Sequence, residues 1–538
     1  MNSTIQLEYP TLTVQGQPLL SDLPDNLLAL PDPGGVGVFL HLSAPKPAAR
    51  HEFELGKLQS IARWTACHRY EPFWMIPCVG VRGGDVPVET QVLLGEREDG
   101  PCVLFVPLLD GNFRASLQGA GEDGLTLVAE SGDPAVVSSE MTGLFVAAGP
   151  NPYELMAQAA PVVTAHLGRG RLRSEKPLPA FVDQFGWCTW DAFYQDVSQE
   201  KMREGLESFQ KGGVTPKLLI LDDGWQSIQS MPMGDQRLTA FRANEKFPND
   251  LAPTVAMSKD EFGVETFLVW HALNGYWGGV EGEALPGYGV RAVARTFSPG
   301  ILHHKPGLND WWGGLVGVVP PEHVYRFFQD YHRHLRQQGV DGVKVDSQAT
   351  LEGIAGGFGG RVELMRSYHE ALEGSAQTQF LGALINCMSC ASDMLYSALN
   401  STVTRTSTDF WPDQPASHGL HLYTNAQVSL WFGEFVHPDW DMFQSGHPMG
   451  AYHAAGRAVS GSPVYVSDKV GAHDFDLLRK LVLPDGGVLR AHQPGRPTRD
   501  CLFADPTKDD VLLKIFSLNL EAGIVGAFNA RYSETGQS

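Results

Sequence analysis

From residue 181 to about residue 485 the chain alternates short, wholly apolar runs with stretches that are apolar on one helical face only, a pattern few architectures accept. Runs covered on both faces belong to parallel strands joined by crossover helices. Eight such runs occur: 184–187, 217–221, 266–270, 342–345, 380–385, 402–405, 436–441 and 463–466. Between the first two, Ser198 caps a helix with Met202, Leu206 and Phe209 on one face, and Gly212-Gly213 stops it. A second helix starts after Pro320-Pro321, spaces Val324, Phe327, Phe328, Tyr331 and Leu335 along one side, and ends at Gly339. Eight strand–helix units predict a (β/α)8 barrel over residues 181–485, with its working groups just beyond the carboxyl ends of the strands.

Residues 1–150 read differently. Short alternating runs such as 36–42, 90–94, 102–107, 125–128 and 143–147, set between turn residues, predict an antiparallel β-sandwich. Asn151-Pro152 then opens a helix that ends near Gly168, and an Arg-, Gly- and Pro-rich linker completes the segment 151–180. Residues 486–538 read as the start of a further β-domain.

Acidic side chains (61) exceed basic ones (40), giving a formal charge of −21, so a phosphate backbone or an anionic membrane surface is a poor partner. The basic run His166–Arg173 is a solvated linker. No apolar stretch of membrane-spanning length occurs, and the amino terminus lacks a secretory pattern, so a cytoplasmic location is expected. Seven scattered cysteines fit a reducing compartment. Cys387-Met-Ser-Cys390 has redox spacing but no second pair to complete a zinc site, and neither a metal-binding motif nor a nucleotide-binding glycine loop is present, so no cofactor is expected.

Several predicted strands run into polar or acidic residues: Leu221 into Asp222-Asp223, Trp270 into His271, Val345 into Asp346, Ile385 into Asn386-Cys387, and Val466 into Ser467-Asp468. A carboxylate at the end of an apolar strand is costly to bury unless it is paired or used. Two carboxylates flanking a glycosidic bond can divide the work, one attacking the anomeric carbon and the other protonating the leaving oxygen. Aromatic residues suit the apolar face of a neutral sugar, and Trp187, Trp190, Trp225, Trp270, Trp277, Trp311, Trp312 and Trp411 supply them.

The segments Phe185-Gly-Trp-Cys-Thr-Trp-Asp-Ala-Phe-Tyr194, Leu221-Asp-Asp-Gly-Trp-Gln226, Trp270-His-Ala-Leu273, Gly275-Tyr-Trp-Gly-Gly279, Gly342-Val-Lys-Val-Asp346 and Pro438-Asp-Trp-Asp-Met-Phe-Gln-Ser445 resemble the raffinose synthase and seed imbibition protein family, which belongs with the α-galactosidases of glycoside hydrolase family 36. The resemblance implies Asp346 as nucleophile and Asp409, in Arg405-Thr-Ser-Thr-Asp-Phe-Trp411, as general acid/base of a retaining enzyme. It implies Lys344 and Arg405 as sugar contacts and Asp222 and Asp223 as the pair that reads galactose; Trp187, Trp190, Trp270 and Cys387 complete the expected substrate-binding set. Two departures stand out. Thr408 replaces the acidic residue that relatives often carry before the acid/base, and the chain stops soon after Ala530, where relatives continue through a C-terminal β-domain.

The expected reaction is hydrolysis of α-galactosides such as raffinose-type sugars. Transfer of galactose to sucrose or another sugar is the alternative, since both reactions share one galactosyl-enzyme and differ in whether water or a sugar arrives second. A non-catalytic sugar-binding protein would have no use for two opposed carboxylates. Hydrolysis is favoured because the glycines between Gly353 and Gly360 read as a pliant loop with little bulk to wall off water.

Overall fold

The computed structural model describes residues 5–231 and 235–532. Among these, the segment from Ile5 to Gly149 forms one fourteen-stranded sheet. The sheet doubles over. Leu40 and Leu144 from one end of the strand order share a core with Phe53 and Leu127 from the other, with Trp64 buried between them. Cys102–Pro107 is buried throughout because its two faces meet different partners. Val103 and Phe105 point into the sandwich, whereas Leu104 and Val106 point toward the helix that follows and the barrel beyond it.

That helix, α1 (Pro152–Leu167), is capped as its sequence demands. Asn151 Oδ1 accepts from the Tyr153 amide at 3.0 Å, and Gly168 closes the far end with φ of 60°. The parallel sheet follows as β1 (Gly186–Cys188), β2 (Leu218–Leu221), β3 (Thr266–Ala272), β4 (Gly342–Asp346), β5 (Leu384–Asn386), β6 (Val403–Arg405), β7 (His437–Asp439) and β8 (Tyr465–Val466). Neighbours in sequence are neighbours in space. β8 pairs with β1, and a parallel bridge between Phe443 and Val466 joins the β7 side to β8, so the sheet closes into the eight-stranded barrel.

All eight predicted strands are present. The run at 380–385 is shorter than expected, because Phe380 is still the last residue of a twenty-residue helix, and Leu381 and Gly382 turn the chain with positive φ before the strand begins. The main crossover helices are α2 (Gln199–Gly212), α3 (Pro321–Gln337), α4 (Arg361–Phe380), α5 (Ser417–Phe432) and α6 (Gly450–Ser460). Met202, Leu206 and Phe209 on α2 and Phe327, Phe328, Tyr331 and Leu335 on α3 are buried in the layer between helices and strands. A small antiparallel sheet (Arg496–Pro497, Leu513–Leu518 and Gly523–Phe528) packs Leu513, Ile515 and Phe528 against Leu422 of α5 and Val459 of α6.

Candidate active site

Strand parity decides which strand residues look into the barrel. Cys188, Leu218, Ile220 and Leu268 face the interior, while Trp187, Leu219 and Leu221 face the helices. Trp187 is therefore not brought to the mouth: it is fully buried against Phe209, and a Cβ on Gly205 of α2 would stand 2.1 Å from its ring. His271 is turned outward in the same way and meets His332 of α3 at 3.1 Å, and burial lowers it to about 4. Asp468 is used up in a loop clasp with Ser445 and His473.

Asp222, just beyond β2, Trp270 of β3, and Lys344 and Asp346 of β4 form the floor. Trp270 and Lys344 lie side by side in register, as do Ala272 and Asp346. Trp270 Nε1 donates to Asp346 Oδ2 at 3.0 Å and the Ser347 amide donates to Asp346 Oδ1 at 2.8 Å, which aims the carboxylate. Burial raises the Asp346 carboxyl above its ordinary value, against the pull of Lys344 and of these two donors. Burial by itself lowers the Lys344 ammonium, but Asp222 Oδ2 at 2.7 Å outweighs it and raises the amine well above its usual range. Cys188 Sγ donates to the same Asp222 oxygen at 3.3 Å.

Asp223 stands behind. Its Oδ1 accepts from Tyr276 OH at 2.8 Å and its Oδ2 from Gln195 Nε2 at 2.9 Å and Trp277 Nε1 at 3.2 Å. Burial raises its pKa against those three hydrogen bonds.

The opposite wall is built on β6. Arg405 is fully buried, and its Nη2 donates to Asp409 Oδ1 at 3.1 Å while Nη1 stands 2.9 Å from Asp441 Oδ1. Cys387 Sγ lies 3.5 Å from Nη1. Asp409 keeps 38% of its side chain exposed, which leaves it reachable from the mouth. Burial, followed by the charges of Asp441 and Asp346, raises it to about 6 against the pull of Arg405. A carboxyl raised toward neutrality and a second one that interacts with it electrostatically across the barrel are an arrangement capable of acid and nucleophile chemistry.

Sequence reasoning missed four members of this site. Trp74, from a hairpin of the N-terminal sheet, lies under the Arg405 guanidinium at 5.3 Å. Tyr70, from the same hairpin, lines one small cavity together with Thr408 and Asp409, and the charge of Asp409 helps burial raise its hydroxyl. Asp191 follows Trp190 in the loop after β1. It accepts from Gln444 at 3.0 Å, and burial together with Asp441, Asp409 and Asp222 raises it to about 7. Asp441 accepts from the Phe410 amide at 2.7 Å and so fixes the segment that carries Asp409. Asp191 and Asp441 lie inside segments already singled out; nothing in the sequence joins Tyr70 and Trp74, midway through the preceding domain, to the barrel.

Trp190 is half-buried against the barrel interior, and Trp225 and Trp277 brace the floor, Trp225 by donating to the Trp270 carbonyl at 2.8 Å. Trp411 is exposed, Trp312 packs under Arg295, and the Trp311 side chain lies outside the described residues. Cys387 and Cys390 are free, buried thiols, as are the other buried cysteines. Among the described residues no group of three or more His, Cys, Asp or Glu side chains is arranged to hold a metal ion. Carboxylates outnumber cations across the mouth, an excess that suits a substrate whose anomeric carbon becomes positive as its bond breaks.

In fold, the chain is similar to an α-galactosidase from Geobacillus stearothermophilus in complex with stachyose (TM-score 0.56, 13% identity, 90% of this chain and 67% of that one). It is likewise similar to an α-galactosidase from Thermus thermophilus in complex with stachyose (TM-score 0.53, 17% identity, 84% and 98%). In sequence it is 42% identical over 571 residues to a probable galactinol–sucrose galactosyltransferase 6 of Arabidopsis thaliana, across 98% of this chain and 75% of that protein. It is 30% identical to a stachyose synthase of Pisum sativum, across 98% and 78%. A family model described as raffinose synthase or seed imbibition protein Sip1 matches residues 5–536, and the chain belongs to that family.

Proposed function

We propose that this protein is a retaining galactosyltransferase that moves α-linked galactose from a donor such as galactinol to a sugar acceptor such as sucrose. Asp346 attacks the anomeric carbon while Asp409 gives its proton to the leaving oxygen, which leaves galactose as an ester on Asp346. The acceptor hydroxyl then attacks the same carbon from the side the leaving group vacated, Asp409 takes its proton, and the Asp346–sugar bond breaks with overall retention. Asp222 and Lys344 hold the sugar hydroxyls, Asp223 stiffens the wall behind them, and Trp270 and Trp190 supply apolar faces.

The observation that carries transfer over hydrolysis is the placement of Trp74 and Tyr70 beside Arg405 and Asp409. Water is present at about 55 M, so a transferase must bind its acceptor and keep water from the ester. An aromatic flank on the leaving-group side serves both needs. The expectation of hydrolysis rested on a pliant glycine loop, and that premise fails. Asp133 Oδ2 accepts from the Gly357 amide at 2.9 Å, Arg361 donates to Glu130 at 2.9 Å, and the Arg361 amide donates to the Ser131 carbonyl at 2.7 Å, which ties the loop to the N-terminal sheet. The sequence relatives, a probable galactinol–sucrose galactosyltransferase and a stachyose synthase, point the same way.

The test is to incubate the protein with galactinol, with and without millimolar sucrose, and to quantify free galactose and trisaccharide together. Trisaccharide should predominate when sucrose is present. Free galactose as the main product at saturating sucrose would return the assignment to hydrolysis.

A further inference from the structure

Behind the Asp223 wall lies a second compartment that the proposed reaction does not use. It is a cleft of about 510 Å³ between the loop after β1, the loop after β2 and the hairpin formed by Gln226–Gln229 and Arg237–Ala243. Its lining includes Gln195, Gln226, Ser227, Gln236, Lys246 and Tyr276. The volume falls within the range of small-molecule sites, roughly 300–1,000 Å³.

Two features set its chemistry. Carboxamides and hydroxyls dominate the lining and offer donors and acceptors in one place, as a polyhydroxylated molecule requires. Gln226 is buried at the base of the cleft, where its carboxamide donates to the Gly275 carbonyl at 3.2 Å and the Tyr331 hydroxyl at 2.7 Å and so holds this part of the lining in place. An anion is a poor fit: Lys246 spends its ammonium on the Gln195 carbonyl, Glu245 sits next to it in the lining, and Asp223 lies behind.

Gln195 and Tyr276 line this cleft and also donate to the two oxygens of Asp223, so they close it off from the galactose pocket while touching both. We propose that the cleft is a second binding site for a neutral polyol, a sugar or cyclitol of one or two rings, separate from the galactose pocket and joined to it only through Gln195, Tyr276 and Asp223.

Saturation-transfer NMR on the whole, unmodified chain tests this, with sucrose and myo-inositol as probes and no galactosyl donor present, so that nothing turns over. A saturating galactose-shaped iminosugar, whose cation pairs with the carboxylates of the galactose pocket, blocks the first site. The signal of at least one probe should survive the iminosugar and fall at least five-fold in Ser227→Trp, which fills the cleft, and in Gln236→Leu. Unchanged iminosugar binding by the two variants shows that they fold. Loss of both probe signals on adding iminosugar overturns the proposal, and so does a surviving signal that neither variant reduces.

Discussion

Arg69 donates from Nη1 to Glu352 Oε2 at 2.7 Å, with both side chains shut away from solvent. Arg69 belongs to the N-terminal sheet, and Glu352 to the 3-10 segment Gln348–Ile354 that follows Asp346. Arg114, also from the sheet, reaches the same oxygen at 2.6 Å and pairs with Asp393, while Arg69 holds Glu89. The loop that carries on from Asp346 is thus bolted to a separate layer of the protein.

Removing one partner of a buried ion pair strands the other, so Arg69→Ala should cost about 3–5 kcal/mol in urea unfolding. Glu352 gives a sharper signature. Burial works to raise its pKa, but Arg69 and Arg114 prevail and carry it down from 4.5 to about 2. A depressed folded pKa contributes stability that is present above 4.5 and drains away as pH falls toward 2. Glu352→Gln should therefore be less stable than the parent at pH 6 and lose less on acidification, and parallel stability–pH curves for the two proteins would refute the assignment.

Asp346→Asn should leave a folded protein with at least 10³-fold lower turnover on an activated α-galactoside, because an amide cannot form the glycosyl ester. Trp270 Nε1 and the Ser347 amide reach different oxygens of Asp346, so the amide oxygen keeps one donor and its NH2 faces the other, a local cost of one hydrogen bond that leaves the packing of the fold untouched. Substantial residual activity on the aryl substrate would move the nucleophile elsewhere.

Asp409→Ala should damage natural donors about 10²–10⁴-fold in the first step, the range typical of general acid catalysis, and an aryl galactoside far less, since a good leaving group needs little protonation. Equal losses on both would reject the acid role.

Asp409 must hold its proton to act as an acid, so kcat/KM for the donor should fall as pH rises through about 6, while the acid limb follows ionisation of Asp346. Thr408→Asp puts a negative charge next to Asp409 and disfavours its ionised form. The alkaline limb should then move to higher pH, by roughly half to one unit. A shift to lower pH would contradict the electrostatic reading of this wall.

Parity explains much of what could be read from the chain. The alternation that announced eight strands also assigns each residue a side, and the same rule that sends Lys344 inward from β4 sends Trp187 outward from β1. Reading Trp187 as a sugar contact counted the tryptophan and overlooked its parity. The end of α4 misled for another reason: Phe380 and Leu381 are as apolar as a strand start, and only the turn at Gly382 separates them from β5. Asp441 and Asp191 could have been found by asking which further carboxylates lie within three residues of a strand end. Trp74 could not, since its partnership with Arg405 exists only once two separately patterned layers have docked.

The barrel's first strand has a partner at the far end of the domain: Gly186 lies against Tyr465 and Trp187 against Val466. During synthesis at roughly 5–20 residues per second, the free side of β1 waits about a quarter of a minute to a minute for β8 to be made. An unpaired apolar edge is a template for the wrong neighbour. The N-terminal sheet is complete by Gly149, before β1 has left the ribosome, and it offers the emerging α1 and barrel segments a finished apolar face on which to settle. The sheet that lends Trp74 to the mature site can thereby act earlier as a nursery for the half-made barrel, and a cell that makes this protein faster than its chaperones can shield that edge should collect it as aggregate rather than enzyme.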